Sequence, residues 1–162
     1  MAKTDKPTEE PIKQIKMIKR DYIFAVGRRK QAVARVRLYT SVKDGLKIGE
    51  NPMKKGDITV NSLPIDTYFR DSTSKTIYSE PLQATNVLGK FVFTIKVAGG
   101  GKASQLDAIV HGISRALNAL DPEKNHSILR KKGFLTRDAR IRQRRKVGMG
   151  GKSRRKKQSP KR

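Results

Sequence analysis

Residues 91–120 read FVFTIKVAGGGKASQLDAIVHGISRALNAL and contain the clearest strand pattern and the clearest helix pattern of the chain. Apolar side chains alternate over 91–97, which predicts a strand with one apolar face. Three glycines then turn the chain, and apolar residues recur at helical spacing from 106 to 120. We expect a long amphipathic helix there, with Ser104 as its N-cap. A strand that leads directly into such a helix is typical of a sheet with helices packed on one face.

A second strand pattern lies near the start of the chain, at residues 22–39. Aliphatic residues alternate there with Arg35 and Arg37, which is the period of a half-buried strand. The sequence Gly27-Arg28-Arg29-Lys30 interrupts this pattern, and a glycine inside a strand indicates a bulge or a close backbone approach. Because the outward arginines continue the cations at 28 and 29, we interpret one face of the sheet as basic. A solvated basic turn is the alternative.

Shorter elements complete the pattern. In chain order they are a loop at 41–56, a strand at 57–61, a helical turn at 64–69, a short helix at 73–79 ended by Pro81, and a helix from 122 to about 132 that Gly133 closes. This mixture predicts an α/β (α+β) two-layer sandwich, with helices on one side of a small sheet and the basic face on the other.

The positive charge is concentrated at the C-terminal end of the chain. Of the formal +24, +15 falls on residues 130–162, which hold 16 Lys/Arg and one acid, Asp138. Such an arm cannot bury enough apolar surface to offset the entropy of ordering it, and its charge calls for a polyanion such as nucleic acid. We therefore divide the chain into a flexible N-terminal extension (1–20), a globular RNA-binding domain (21–135) and an extended basic tail (136–162).

No catalytic, metal or cofactor site is predicted. The chain has no cysteine, and neither of its two histidines, His111 and His126, has a partner at metal-ligand spacing. The glycines at 99–101 and the sequence Gly151-Lys152-Ser153 lack the other residues of a nucleotide-binding loop. A loop on RNA phosphate or a tight turn is the favoured interpretation of the glycines at 99–101. We expect no enzyme activity, no cofactor, no metal and no small-molecule substrate.

The remaining expectations concern location and packing. No apolar run is long enough to span a membrane, the start lacks a signal peptide, and the basic end lacks the apolar side of a membrane-bound helix. A cytoplasmic protein without a membrane partner is therefore expected. His111 is placed on the polar face of the long helix, in solvent or against a partner. The strand aromatics, Phe24 among them, are interpreted as packing residues rather than base-stacking platforms.

Three long motifs resemble, in the same order, the signatures of a known family. They are AVGRRKQAVARV at 25–36, GGGKASQLDAIVHGISRAL at 99–117 and KGFLTRDAR at 132–140, followed by a terminal Lys161-Arg162. The family is that of the bacterial small-subunit ribosomal protein number nine, the S-nine family. The similarity runs from about residue 22 to the end of the chain, and residues 1–20 lie outside it.

The resemblance implies a structural component of the head of the small ribosomal subunit, bound to ribosomal RNA and to neighbouring head proteins in the cytoplasm. It also implies a sandwich like the second domain of ribosomal protein S-five, with a left-handed βαβ crossover. The tail of the family threads through RNA, and its end approaches the tRNA in the P site. The segment Gln158-Ser159-Pro160 departs from the family's usual ending, which puts the path of the tail in question.

The cationic residues expected to bind RNA lie in the basic face, the long helix and the tail. They are Arg28, Arg29, Lys30, Arg35, Arg37, Lys102, Arg115, Arg137, Arg140, Arg142, Arg144, Arg145, Lys146, Lys152, Arg154, Arg155, Lys156 and Lys157. By motif position, Lys161 and Arg162 are expected to contact the P-site tRNA. A DNA-compacting protein and an enzyme on RNA or nucleotides are the alternatives, but the chain lacks a groove-entering element for the first and a carboxylate pair or metal cluster for the second.

Overall fold

A computed structural model describes residues 22–40, 47–48 and 51–144. The strands of this part are β1 (Ile23–Arg29), β2 (Ala32–Tyr39), β3 (Lys47–Ile48), β4 (Asn51–Pro52), β5 (Ile58–Val60), β6 (Leu63–Pro64) and β7 (Val92–Ala98). Its helices are α1 (Ile65–Tyr68), α2 (Ser72–Ala84), α3 (Lys102–Leu120) and α4 (Pro122–Lys131). The mixed α/β composition that the sequence predicts is confirmed.

The main sheet has five strands in the order β1-β2-β7-β5-β6. β2 pairs antiparallel with both β1 and β7, so it lies between them with Arg35 opposite Lys96. β5 pairs parallel with β7, and the chain between these two strands passes through β6, α1 and α2. A parallel pair needs such a crossover connection, because its strands run in the same direction. β3 and β4 form a separate two-stranded sheet.

The core lies between the sheet and α3. The apolar stripe of α3 is buried at Leu106, Ile109, Ile113 and Leu117, as its helical spacing predicts. α3 packs on β1, β2 and β7, while α2 and α4 pack on α3. This places the helices on one side of the sheet, which we call the helix face.

Glycines allow β1 and α3 to approach each other closely. A Cβ on Gly27 would collide with the Ala108 carbonyl and with the backbone of Gly112, and a Cβ on Gly112 would lie 2.6 Å from Cγ2 of Val36. The close backbone approach predicted at Gly27 is therefore confirmed. Gly27 does not mark a bulge, because β1 continues through it in unbroken pairing with β2.

Residues 22–39, whose pattern predicts one interrupted strand, form a hairpin. β1 and β2 are joined by Lys30 and Gln31, and Arg29 pairs with Ala32 across the turn. The left-handed backbone of Lys30, with φ of 50°, allows this tight reversal. The turn is hard to predict because the sequence Lys30-Gln31 is none of the common turn pairs.

The predicted helix boundaries are wrong at two positions. α3 begins at Lys102, so Gly101 rather than Ser104 occupies the N-cap. α2 continues past Pro81, which is buried inside the helix, and ends three residues later at Ala84. Proline removes one backbone hydrogen bond, but burial of Tyr78, Pro81 and Leu82 on one side favours the longer helix. The predicted end of α4 is confirmed, since Gly133 follows it with φ of 76°.

The predicted loop at 41–56 contains a short hairpin, β3–β4, within its described part. From the same region, Met53 packs with Tyr39 and Val92 in a small second cluster, against which Tyr22 lies. Tyr39 is therefore buried, although its alternation with Arg35 and Arg37 predicts exposure. Within the described part of the chain, no helix is long and apolar enough to cross a lipid bilayer.

Candidate nucleic-acid interface

The face of the sheet opposite the helices carries the predicted basic row. We call it the open face and define it by Phe24, Val26, Arg28, Arg35, Arg37, Thr94 and Lys96. Strand pairing sets Arg35 between Val26 and Lys96, and Arg37 between Phe24 and Thr94. Arg35, Arg37 and Lys96 are all exposed. Adjacent strands lie roughly 4.8 Å apart, so these cations form a contiguous surface.

The open-face cations have no acidic partner within the described part of the chain. The ion pairs found there join Arg29, Lys75, Lys132 and Arg140 to carboxylates, and none involves Arg35, Arg37 or Lys96. The Arg37 guanidinium carbon lies 5.0 Å from the centroid of the Tyr22 ring, which is cation–π distance. An anion that approaches this face therefore meets positive charge that no acid of the described residues neutralises.

Arg29 points to the other side of the sheet. Its neighbours on that side of β1 are Ala25 and Gly27, which face α3, and its side chain is 14% exposed. Nε lies 3.3 Å from a carboxylate oxygen of Asp107, and Nη2 lies 3.1 Å from one of Asp138. The basic row on the open face thus consists of Arg28, Arg35 and Arg37 without Arg29, because alternation reverses the side of each successive residue.

The same guanidinium holds the backbone of the tail root, which we define as residues 136–144. Arg29 Nη1 donates to the carbonyl of Arg140 at 2.7 Å and to that of Asp138 at 3.3 Å. A planar fork can serve several acceptors at once, which a lysine ammonium on a flexible stem cannot reproduce. Arg29 therefore attaches the beginning of the basic tail to β1 and α3.

Asp138 organises the tail root from within. Its carboxylate accepts hydrogen bonds from the Arg140 backbone at 2.9 Å and from the Arg140 guanidinium at 2.7 Å. These hydrogen bonds, with the charges of Arg140 and Arg29, hold the pKa of Asp138 well below its usual range. The hydrogen bond to Asp138 and the negative charge of its carboxylate raise the pKa of Arg140. The one acid of the basic end is thus ionised and used to shape the chain beside Arg29.

The sequence predicts His111 on the polar face of α3, in solvent or against a partner; the residue is half-buried and joins α3 to the same region. The Arg28 backbone N–H donates to Nδ1 of His111 at 3.3 Å. Burial and the nearby charge of Arg115 lower the pKa of His111, while contacts with the backbone of Arg28 and Leu135 oppose this shift. A neutral imidazole can accept the Arg28 hydrogen bond, whereas a protonated one cannot.

Two further cations from the predicted set make contacts within the domain. Arg115 donates from Nη1 to the carbonyl of Val26 at 2.6 Å, which links α3 to β1. Lys102 places Nζ 3.5 Å from the centroid of the Tyr68 ring, at the edge of a cleft of about 820 Å³ between α1, α2 and α3. Both side chains keep exposed surface.

The structure distributes the remaining predicted cations between two groups. Exposed within the described residues are Arg28, Lys30, Arg137, Arg140, Arg142 and Arg144. Outside the described residues lie Arg145, Lys146, Lys152, Arg154, Arg155, Lys156, Lys157, Lys161 and Arg162, together with the extension at 1–20. Among the described residues, no group of acids and histidines could hold a metal ion.

The glycine loop at 99–101 is a tight turn packed on the hairpin. Gly99 and Gly100 have φ of 77° and 62°, and a Cβ on Gly99 would lie 2.5 Å from the Gln31 carbonyl oxygen. Steric requirements therefore explain these two glycines without a bound phosphate.

Sequence reasoning missed Phe24. Its side chain is 44% exposed on the open face, so its interpretation as a packing residue is wrong. The signal was present in the spacing, because Gly27 and Ala25 are the small residues that must face α3. Phe24 and Val26 then have to point to the opposite side.

The described residues form an α/β domain with a basic open face, followed by a segment that carries exposed arginines. A family model described as "Ribosomal protein S9/S16" matches residues 27–162, and the chain belongs to this family. The resemblance on which the sequence interpretation rests is thereby confirmed, as is the prediction of a ribosomal protein rather than an enzyme.

Curated relatives agree with this assignment. The chain is 46% identical over 132 residues to the "Small ribosomal subunit protein uS9" of Maridesulfovibrio salexigens. The aligned residues cover 82% of this chain and 91% of the relative. It is 45% identical over 128 residues to the protein of the same name from an Anaeromyxobacter species, covering 79% of this chain and 88% of the relative. The corresponding Lawsonia intracellularis protein is 41% identical over 129 residues, covering 80% and 88%.

Proposed function

We propose that the chain is a structural constituent of the small ribosomal subunit and that it binds ribosomal RNA through its open face and its basic tail. The observation that carries this proposal is the contiguous set of exposed cations Arg35, Arg37 and Lys96, which no described acid neutralises. Phosphate contacts by such side chains fix the position of a protein on RNA without reading its sequence. Family membership and the names of the relatives support the ribosome as the site.

The division of labour along the chain follows from its charge and contacts. Residues 21–135 form the folded RNA-binding domain, 136–162 the basic tail and 1–20 a separate extension. Arg29 holds the first residues of the tail in position, and the cations from Arg137 onward bind phosphate along the tail. Arg28, Lys30, Lys102 and Arg115 add contacts around the domain.

Three finer features are proposed from the family resemblance. The β5–β7 crossover is left-handed, the domain meets neighbouring proteins of the subunit head, and Lys161 with Arg162 reaches the tRNA in the P site. The tRNA role can be measured as a tRNA off-rate on subunits with and without the last two residues. Equal off-rates at normal incorporation would contradict it.

The test of RNA binding uses the full chain, the double variant Arg35→Gln with Arg37→Gln, and a transcript of the head domain of the small-subunit RNA. Each phosphate contact contributes about 0.9 to the slope of log affinity against log salt. The double variant should therefore bind more weakly, with a slope smaller by about two. The matched control replaces Lys75 and Lys132, which are paired with Asp66 and Glu80, and should change the slope less. An unchanged slope for the open-face variant would contradict the proposal.

A further inference from the structure

Phe24 lies on β1, the edge strand of the main sheet, and its side chain is 44% exposed on the open face. It pairs across the hairpin with Arg37, and Arg35 stands opposite Val26, two residues further along β1. Lys96 lies beyond Arg35 on β7. Immediately beside Phe24 on this face, Tyr22 packs against the buried cluster of Tyr39, Met53 and Val92. The exposed aromatic ring thus lies between Tyr22 and Val26 along β1 and directly beside Arg37, with Arg35 and Lys96 further across the sheet.

The outward direction of Phe24 is fixed by the packing of the opposite side. Only a very small residue fits at Gly27, because a Cβ there would collide with Ala108 and Gly112 of α3. A slip of one residue in β1 would bring Phe24 or Val26 against α3 and break the packing. Phe24 therefore presents its ring to the outside in the folded state, although burial of a phenylalanine would itself be favourable.

The chemistry of this surface favours RNA over a protein or a lipid surface. An apolar protein patch on Phe24 would desolvate Arg35, Arg37 and Lys96 without supplying an opposite charge, which is costly. A membrane surface would require a broader apolar side than one ring provides. A short RNA segment matches both features of this surface, since its phosphates pair with the cations and its base stacks on the aromatic ring.

We propose that Phe24 is the stacking platform for one unpaired base of ribosomal RNA, with the flanking phosphates bound by Arg35, Arg37 and Lys96. The inference rests on the proposed function and specifies the kind of RNA that the open face takes. A base inside a continuous helix is already stacked on both sides, so the ligand is a nucleotide in a loop, a bulge or a junction. Arg37 is already placed over the Tyr22 ring beside this platform.

The experiment compares Phe24→Leu with Phe24→Tyr on the same head-domain transcript. The leucine variant keeps apolar surface but loses the ring, so its affinity should fall roughly tenfold, as expected for loss of one base–aromatic stack. The salt slope should stay that of the wild type, because no charge is removed. Phe24→Tyr should bind within about twofold of the wild type, since stacking tolerates the hydroxyl.

A second measurement places the contact in the assembled particle. Chemical probing of subunits that carry Phe24→Leu should show one or a few unpaired nucleotides with increased reactivity, and Phe24→Tyr should restore protection. Equal affinity of the leucine variant and the wild type would overturn the inference. So would normal RNA affinity combined with poor incorporation, which would identify a protein as the occupant. Both outcomes differ from failure of the proposed function, in which the Arg35→Gln, Arg37→Gln variant would bind with an unchanged salt slope.

Discussion

Arg29 holds the beginning of the basic tail through its planar guanidinium. The carbonyl oxygens of Asp138 and Arg140 and the carboxylates of Asp107 and Asp138 surround this one group. Arg35, six residues further along, has no such partners among the described residues. The difference arises from the side of the strand on which each residue lies, so neighbouring arginines of one motif perform separate tasks.

Replacement of Arg29 by lysine should loosen the tail root while preserving the net charge. The ammonium cannot reproduce the fork, so the free energy of unfolding should fall by about 1–2 kcal/mol, a typical loss for hydrogen bonds to a charged group. Amide hydrogen exchange of residues 136–144 should become faster. The matched control is Arg35→Lys on the open face, which should change neither quantity. Equal behaviour of the two variants would mean that the Arg29 contacts do not hold the tail.

His111 should make stability depend on pH in a defined direction. Its folded pKa lies below the ordinary value of 6.5, so the unfolded chain binds more protons in this range. The stability contributed by the neutral imidazole is present above about pH 6.5 and is lost as the pH falls through the folded pKa. Thermal melts between pH 8 and 5 should show this loss in the wild type and less of it in His111→Gln. A His111→Gln variant with the same pH dependence would assign the effect to other groups.

The contact between β1 and α3 depends on two facing glycines. Gly112→Ala should destabilise the domain by about 1–3 kcal/mol, because the new Cβ meets Val36 at 2.6 Å and the Gly27 backbone nitrogen at 3.2 Å. This cost should exceed the gain in helix propensity from alanine. Gly101→Ser provides the control, since that position is open and serine is a favourable N-cap. Chemical denaturation would compare the two, and equal stability of Gly112→Ala and wild type would contradict the close packing.

At the element scale, periodicity predicted what depends on burial and missed what depends on turns and caps. The apolar stripe of α3 and the alternation of β7 are strong signals because each buries one continuous face. The Lys30-Gln31 turn carries no glycine or asparagine, so nothing in its composition marked the hairpin. Pro81 was expected to end α2, yet tertiary packing of that helix outweighed the local preference. In the candidate site, the direction of the Arg29 side chain can be predicted only when it is known which residues of β1 face α3.

On the scale of the whole molecule, the described contacts of the domain extend into the basic tail. The hydrogen bonds of Arg29 reach Asp138 and Arg140, beyond the predicted end of the globular domain at residue 135. The tail root therefore serves two purposes, since it completes the domain beside β1 and carries exposed arginines at 137, 140, 142 and 144. The nine cations that follow Arg144 in the sequence have one purpose in our proposal, which is to bind phosphate.

Two truncations should separate these purposes. A chain that ends at Arg144 keeps every described contact of Arg29, so its melting temperature should equal that of the full chain. Its RNA affinity should fall steeply and its salt slope should flatten, because nine cations are removed. A chain that ends at Leu135 also removes the partners of Arg29 and leaves its guanidinium beside Asp107 alone, so its melting temperature should drop by several degrees. Thermal melts and affinities at several salt concentrations measure both effects. If both truncated chains had the same melting temperature as the full chain, residues 136–144 would contribute charge without contributing to the stability of the fold. If the chain ending at Arg144 kept the full salt slope, the electrostatic contacts would belong to the domain and the tail root instead of the residues beyond them.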